Sequence, residues 1–121
     1  MKKRIFVIDD DPLALKMIVA VLESDGHAVR AFSEFESLLQ ELRQSLPDLV
    51  LTDVVMPKVS GFEVCRQVKE IRPQPPQVIV MTGKLDAIDP VTARKMGADD
   101  FVVKTSDMSV LVCAVRRILP A

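Results

Sequence analysis

Short apolar runs alternate about five times with amphipathic stretches of helical period along this chain. That alternation is the strongest constraint on its fold. An apolar run between turn signals makes a strand buried on both faces. A helical stretch after each one returns the chain to start the next strand parallel to the last. The expected architecture is therefore α/β, a parallel sheet with helices on both faces. With 121 residues, 49% of them apolar, the chain fits one domain spanning residues 1–121.

The first strand is expected over Arg4 to Asp9. Asp11 then caps a helix with Pro12 at its first position, and Ala14, Met17, Ile18, Val21 and Leu22 form its inward stripe. Asp25-Gly26 reads as a turn and His27 to Phe32 as a second strand, with His27 expected at the surface. Ser33-Glu34-Phe35-Glu36 and Ser60-Gly61-Phe62-Glu63 each have the form of a capping box opening a helix. Between them Leu49 to Thr52 forms the third strand, with Asp53 at its carboxyl end and Pro57 closing off regular structure soon after. Pro73 to Pro76 is a stiff connector into the fourth strand, Gln77 to Thr82. The helix expected from Asp89-Pro90 to about Met96 has the poorest apolar stripe in the chain. A fifth strand, Asp100 to Lys104, and a last helix capped by Ser106 with the stripe Met108, Leu111, Val112, Val115, Ile118 and Leu119 complete the reading.

Composition removes several classes of function. A net charge of −1 and 4% aromatic residues, with no Trp or Tyr, offer neither a basic face nor a stacking platform for nucleic acid. No run approaches the roughly 18 apolar residues of a membrane span, and Ile5 to Ile8 is too short for a signal-peptide core. A soluble cytoplasmic protein is expected. Cys65 and Cys113 lie far apart in helical patterns and read as reduced core or near-core thiols. Arg116 and Arg117 read as a solvated helix end.

The residues with chemical potential share one topological address. Asp9 and Asp10 end the first strand, Asp53 the third, Thr82 the fourth and Lys104 the fifth. In a parallel sheet these ends lie on one edge, where open α/β sheets bind ligands. Carboxylates about 5 Å apart oppose each other by roughly 3 kcal/mol at an effective dielectric near 20. A small divalent cation such as Mg²⁺ relieves this, and it leaves room for a phosphoryl group that an aspartate can accept as nucleophile. Lys104 adds positive charge and Thr82 a hydroxyl donor.

Four motifs, Ile8-Asp9-Asp10, Leu51-Thr52-Asp53-Val54-Val55-Met56-Pro57, Val80-Met81-Thr82-Gly83 and Gly97-Ala98-Asp99-Asp100-Phe101-Val102-Val103-Lys104, together resemble the receiver domain of two-component response regulators. The resemblance implies a doubly wound, flavodoxin-like five-stranded sheet of order 2-1-3-4-5. It implies phosphorylation of Asp53 by a histidine kinase or phosphotransfer protein, with Mg²⁺ bound by Asp10, by Asp9 mostly through water, by Asp53 and by the Val55 carbonyl. Thr82 and Lys104 would hold phosphoryl oxygens, Phe101 would be the aromatic switch, and the fourth helix, fifth strand and fifth helix would form the output face. Such a protein is a signalling switch and not an enzyme acting on other substrates.

The chain departs from the pattern in places. Thr105 follows Lys104 where proline and a cis peptide are usual, so a trans bond is expected. Gly83 replaces alanine, Phe101 replaces tyrosine, and Val55 and Lys84 flank the path of a hydrolytic water. Two other functions fit parts of the sequence. One is a receiver-like docking module that does not phosphorylate. The other is a phosphohydrolase of the haloacid dehalogenase type, for which Asp9-Asp10-Asp11 has the Asp-x-Asp spacing but Leu13 is out of place.

Overall fold

The structure is a computed structural model, and it describes residues 3–83, 90–104 and 108–119. Its elements in chain order are β1 (Arg4–Ile8), α1 (Pro12–Ser24), β2 (Ala28–Phe32), α2 (Phe35–Gln44), β3 (Leu49–Asp53), α3 (Gly61–Lys69), β4 (Gln77–Thr82), α4 (Pro90–Lys95), β5 (Asp100–Val103) and α5 (Ser109–Ile118). The strands form one sheet in the order β2-β1-β3-β4-β5, and every pairing is parallel. The fold is the doubly wound arrangement that the alternation implied.

Successive side chains of a strand point to opposite faces, and here both faces are buried. On one, Ile5, Val7, Leu49, Leu51, Ile79 and Met81 pack against Ile18 and Leu22 of α1 and Leu111 and Val115 of α5. On the other, Phe6, Ile8, Val50, Val78 and Val80 pack against Leu38 and Leu42 of α2 and Val64, Cys65 and Val68 of α3. Burial on both faces is why the central strands read as continuous apolar runs. It also fixes the register, because a slip of one residue would exchange the two cores. Ile5 pairs with Leu49 and Leu49 with Gln77, so the carboxyl ends of β1, β3 and β4 align along one edge.

Several local expectations are corrected. β2 begins at Ala28, and His27 lies beneath the end of α1 with its side chain only 10% exposed. Its Nδ1 is buried without a hydrogen-bond partner among the described residues, while Nε2 is 3.9 Å from Asp25 Oδ2. Met17 is exposed, because the inward row of α1 runs Ala14, Ile18, Leu22 at i, i+4 spacing and Met17 sits one residue off it. Val91 of α4 also faces solvent. Arg116 and Arg117 are solvent-exposed as expected, and each is also ion-paired: Arg116 clamps Asp25 with Nε at 3.0 Å and Nη2 at 2.6 Å, and Arg117 pairs with Asp100. The Arg116 guanidinium holds the Asp25 carboxyl below its usual range.

The helix starts also differ from their expected caps. Asp11 caps α1 as expected, accepting from Leu13 N at 3.0 Å, and Pro12 follows at the first position. Ser60 caps α3 by accepting from Glu63 N at 3.2 Å, but Glu63 turns its own carboxylate to Arg66 and Gln67, so only half of that capping box forms. At α2 the cap position belongs to Glu34, with no side-chain cap bond, because the helix begins at Phe35, which packs into the core. α5 starts after Met108, whose φ of +61° is left-handed and uncommon for a residue with a Cβ. Ser106, Asp89 and the peptide bond between Lys104 and Thr105 lie outside the described residues.

These caps give a discriminating stability test. Asp11→Ala and Ser60→Ala are each expected to cost about 0.5–2 kcal/mol, whereas Ser33→Ala should stay within about 0.5 kcal/mol. Urea unfolding of the three variants checks this, and a Ser33→Ala loss as large as that of Ser60→Ala would contradict the placement of the α2 start.

Candidate functional site

The site forms where β1, β3, β4 and β5 end. Asp9 follows β1 directly, and its amide is tied to the Phe32 carbonyl at 3.1 Å, so it continues the sheet for one more residue. The side chain is 1% exposed and both oxygens are occupied: Oδ1 accepts from Asp11 N at 3.0 Å, and Oδ2 accepts from Lys104 Nζ at 3.0 Å. Asp53 is the last residue of β3 and is 8% exposed. Its Oδ1 lies 3.6 Å from the same Lys104 ammonium. One lysine thus bridges two buried carboxylates.

Asp10 completes the group from the solvent side. Carboxylate oxygens of Asp9, Asp10 and Asp53 all lie within 4.8 Å of one another. At that separation each pair of ionised groups opposes the others by roughly 3 kcal/mol at an effective dielectric near 20. Three carboxylates face one ammonium, which leaves an excess of two negative charges. An all-oxygen, doubly negative cluster fits a hard divalent cation such as Mg²⁺. Asp10 is exposed and lines a groove between the loops that follow β2 and β3.

The electrostatics follow from this crowding. Burial first, and the charge of Asp9 second, push the Asp53 carboxyl up to about 6, against the opposing pull of Lys104 and the Val54 amide. For Lys104, burial works against the ammonium. The Asp9 hydrogen bond and the charges of Asp53 and Asp9 more than offset it, so its pKa lies above the ordinary lysine value.

The other expected residues fall around this group. Thr82 is the last residue of β4 and buried, and its carbonyl accepts the Lys104 amide at 2.6 Å, which fixes the two residues side by side. Val55 lies in the loop after Asp53 with its side chain 62% exposed. Phe101 on β5 is partly buried against the core face formed by Phe6, Val78 and Val80. A methyl group at Gly83 would meet no described atom within 4 Å, so packing does not require the glycine. Lys84 lies outside the described residues.

One residue that positions the site was missed. Gly61 opens α3, and a Cβ there would lie 2.1 Å from the Asp53 carbonyl oxygen and 2.9 Å from Val54 Cα. Its amide donates to the Val54 carbonyl at 2.9 Å. The start of α3 is therefore pressed against the main chain of Asp53 and closes the loop between them. The available signal was a glycine at a helix's first position, where a good helix former would otherwise be favoured.

Residues 5–116 match the family described as the response regulator receiver domain. This chain belongs to that family. It is 35% identical over 116 residues to the DNA-binding response regulator MtrA of Mycolicibacterium smegmatis, covering 96% of this chain and 50% of MtrA. It is likewise 35% identical to the transcriptional regulatory protein CseB of Streptomyces coelicolor, covering 95% of this chain and 48% of CseB. The receiver thus spans about half the length of these curated relatives. Among solved structures, the BeF3-activated DrrB receiver domain matches with a TM-score of 0.86 at 33% identity, covering 100% of both chains. The Thermotoga maritima response regulator TrrA in complex with Mg²⁺-BeF matches at 0.86 and 27% identity, covering 98% of this chain and 100% of TrrA. Receiver domains of response regulators are signalling components of two-component systems and not classical enzymes.

The close approach at Gly61 generates a prediction. The clash partners are backbone atoms, so Gly61→Ala cannot be relieved by a side-chain rotation. It is expected to cost at least about 2 kcal/mol in urea unfolding, as overpacked positions do. A loss below about 0.5 kcal/mol would show that the loop after Asp53 yields freely.

Proposed function

We propose that this receiver, spanning residues 1–121, is a phosphorylation-dependent switch with Asp53 as phosphoacceptor. The observation that carries the reading is the convergence of Asp9, Asp10 and Asp53 within 4.8 Å, with Lys104 bridging two of them. The donor is a phosphohistidine of a histidine kinase or phosphotransfer protein. An Asp53 carboxylate oxygen forms the new P–O bond as the P–N bond breaks, and the leaving imidazole keeps the electron pair and takes up a proton. Asp10, Asp53 and the Val55 carbonyl would hold Mg²⁺, with Asp9 acting mostly through water, and the metal would supply charge neutralisation on the phosphoryl oxygens.

The chain's own residues do the rest. Lys104, already 3.6 Å from Asp53, needs only a short reach to contact a phosphoryl oxygen. Thr82, beside Lys104 at the end of β4, offers its hydroxyl to another. Movement of Thr82 toward the phosphoryl group makes room for Phe101, and α4 shifts with it. The face formed by α4, β5 and α5 then presents a different surface to a partner. The reading includes no direct contact of this domain with nucleic acid or membrane, and it includes a cytoplasmic location. No helix among the described residues is long and apolar enough to cross a membrane.

Incubation with Mg²⁺ and acetyl phosphate, followed by intact-mass spectrometry, tests the reading. One phosphoryl adduct is expected on the wild type, none on Asp53→Asn, and none after chelation of the metal. An adduct that persists on Asp53→Asn would identify another acceptor, and no adduct on the wild type would favour a docking module that does not phosphorylate.

A further inference from the structure

The groove that Asp10 lines has no part in the phosphoryl chemistry. One wall is the loop after β2 with the first turn of α2, and the other is the loop after β3. Its volume is about 560 Å³, within the roughly 300–1,000 Å³ of sites that take small ligands or a few side chains. The floor is apolar. Ile8 is fully buried, and Phe35, Met56 and Val59 are partly buried against the same core face. The rim is acidic. Asp10, Glu34 and Glu36 stand exposed along it against one cation, Lys58. Neither Glu34 nor Glu36 forms an ion pair with Lys58 or with any other described residue, so the lysine does not cancel them. α2 begins here at Phe35 with no side-chain cap. Its amino end adds about half a positive charge, so three carboxylates against one ammonium and that half charge leave an excess of about one and a half negative charges. An anion is repelled by this rim. A purely apolar ligand would cover carboxylates without pairing them. A ligand with an apolar body and a cationic head matches both the floor and the rim.

We propose that this groove docks a basic segment of a partner protein, one in which an arginine or lysine stands beside a bulky apolar residue. Such a cationic side chain lays its apolar stem along Met56 and Val59 and brings its head to Glu34 or Glu36. The apolar neighbour covers Ile8 and Phe35. Asp10 belongs to both the rim and the carboxylate cluster, so docking and metal binding oppose each other. A divalent cation on Asp10 cancels charge at that end of the rim. By linkage, the docked segment weakens the metal by the same factor. The coupling rests on the metal reading above, whereas the docking does not.

A nitrogen-15 NMR titration of the whole chain tests both parts. The probes are the capped peptide acetyl-Leu-Arg-Phe-Arg-amide and its counterpart acetyl-Leu-Glu-Phe-Glu-amide. Saturable shifts are expected at Glu34, Phe35, Glu36, Lys58 and Val59, with the arginine peptide bound at least about tenfold tighter than the glutamate one. The double variant Glu34→Gln, Glu36→Gln should weaken the arginine peptide more than about fivefold. Its Mg²⁺ affinity, read from the Asp10 amide, should stay within about twofold of the wild type. Saturating Mg²⁺ should weaken the arginine peptide more than about threefold in the wild type. No saturable shift at these amides up to about 5 mM peptide would overturn the docking. Equal binding of the two peptides, or an unchanged affinity in the double variant, would overturn it as well. Peptide binding that Mg²⁺ leaves unchanged while shifting Asp10 would overturn the coupling alone. No Mg²⁺ shift at Asp10 would overturn the metal reading and the coupling together.

Discussion

The bridge from Lys104 to Asp9 and Asp53 is the interaction on which the site depends. Three carboxylates within 4.8 Å are an unfavourable arrangement that the fold must hold in place. The sheet does so by register. Asp53 continues β3 beside Met81 of β4, Asp9 continues β1 beside Phe32 of β2, and Lys104 leaves β5 beside Thr82. Strand pairing thus fixes where each of these side chains leaves the backbone. The Asp9 carboxylate is further fixed by the Asp11 amide, so the N-cap of α1 and the site share one hydrogen bond. The lysine balances only part of the charge, and the remainder suits a divalent cation and then a phosphoryl group bound to it.

Most of the fold was legible in the sequence, for a physical reason. Strands buried on both faces must be apolar throughout, and helices on such a sheet must be amphipathic, so the two patterns alternate visibly. The end of β4 at Thr82 and the capped start of α1 at Asp11 and Pro12 were read where they stand. What was not legible depends on contacts distant in sequence. Asp25 meets Arg116 across 91 residues, Cys65 meets Met96 across 31, and neither pairing leaves a local signal. His27 looked like a surface residue because its neighbours are a turn and an edge strand, but the end of α1 covers it. Ser33 has no capping role because α2 begins at Phe35, which makes Glu34 the cap residue.

The site was legible to a similar degree. A parallel sheet brings the carboxyl ends of its strands to one edge, so chain order alone gathers Asp9, Asp10, Asp53, Thr82 and Lys104. What topology does not supply is which groups pair. Asp9 uses both oxygens within the protein, and Gly61 presses α3 against the Asp53 backbone. Phe101 is partly buried in the described conformation, packed against the same face as the end of α4. The ion pairs of Arg116 and Arg117 tie α5 to the end of α1 and to β5.

The central claim is that the fold holds Asp53 in a crowded, buried carboxylate cluster whose charge a divalent cation would balance. Its most direct test is a carbon-13 NMR titration of the Asp53 carboxyl in the folded protein, with and without Mg²⁺. Without metal the group should titrate near 6 against an ordinary value of 3.8. The native state then binds that proton more tightly than the unfolded chain, so folding stability should fall as pH rises through this window and stay lower above it. With Mg²⁺ the midpoint should move down. A midpoint near 3.8 in the metal-free protein, or one that Mg²⁺ leaves in place, would contradict the account.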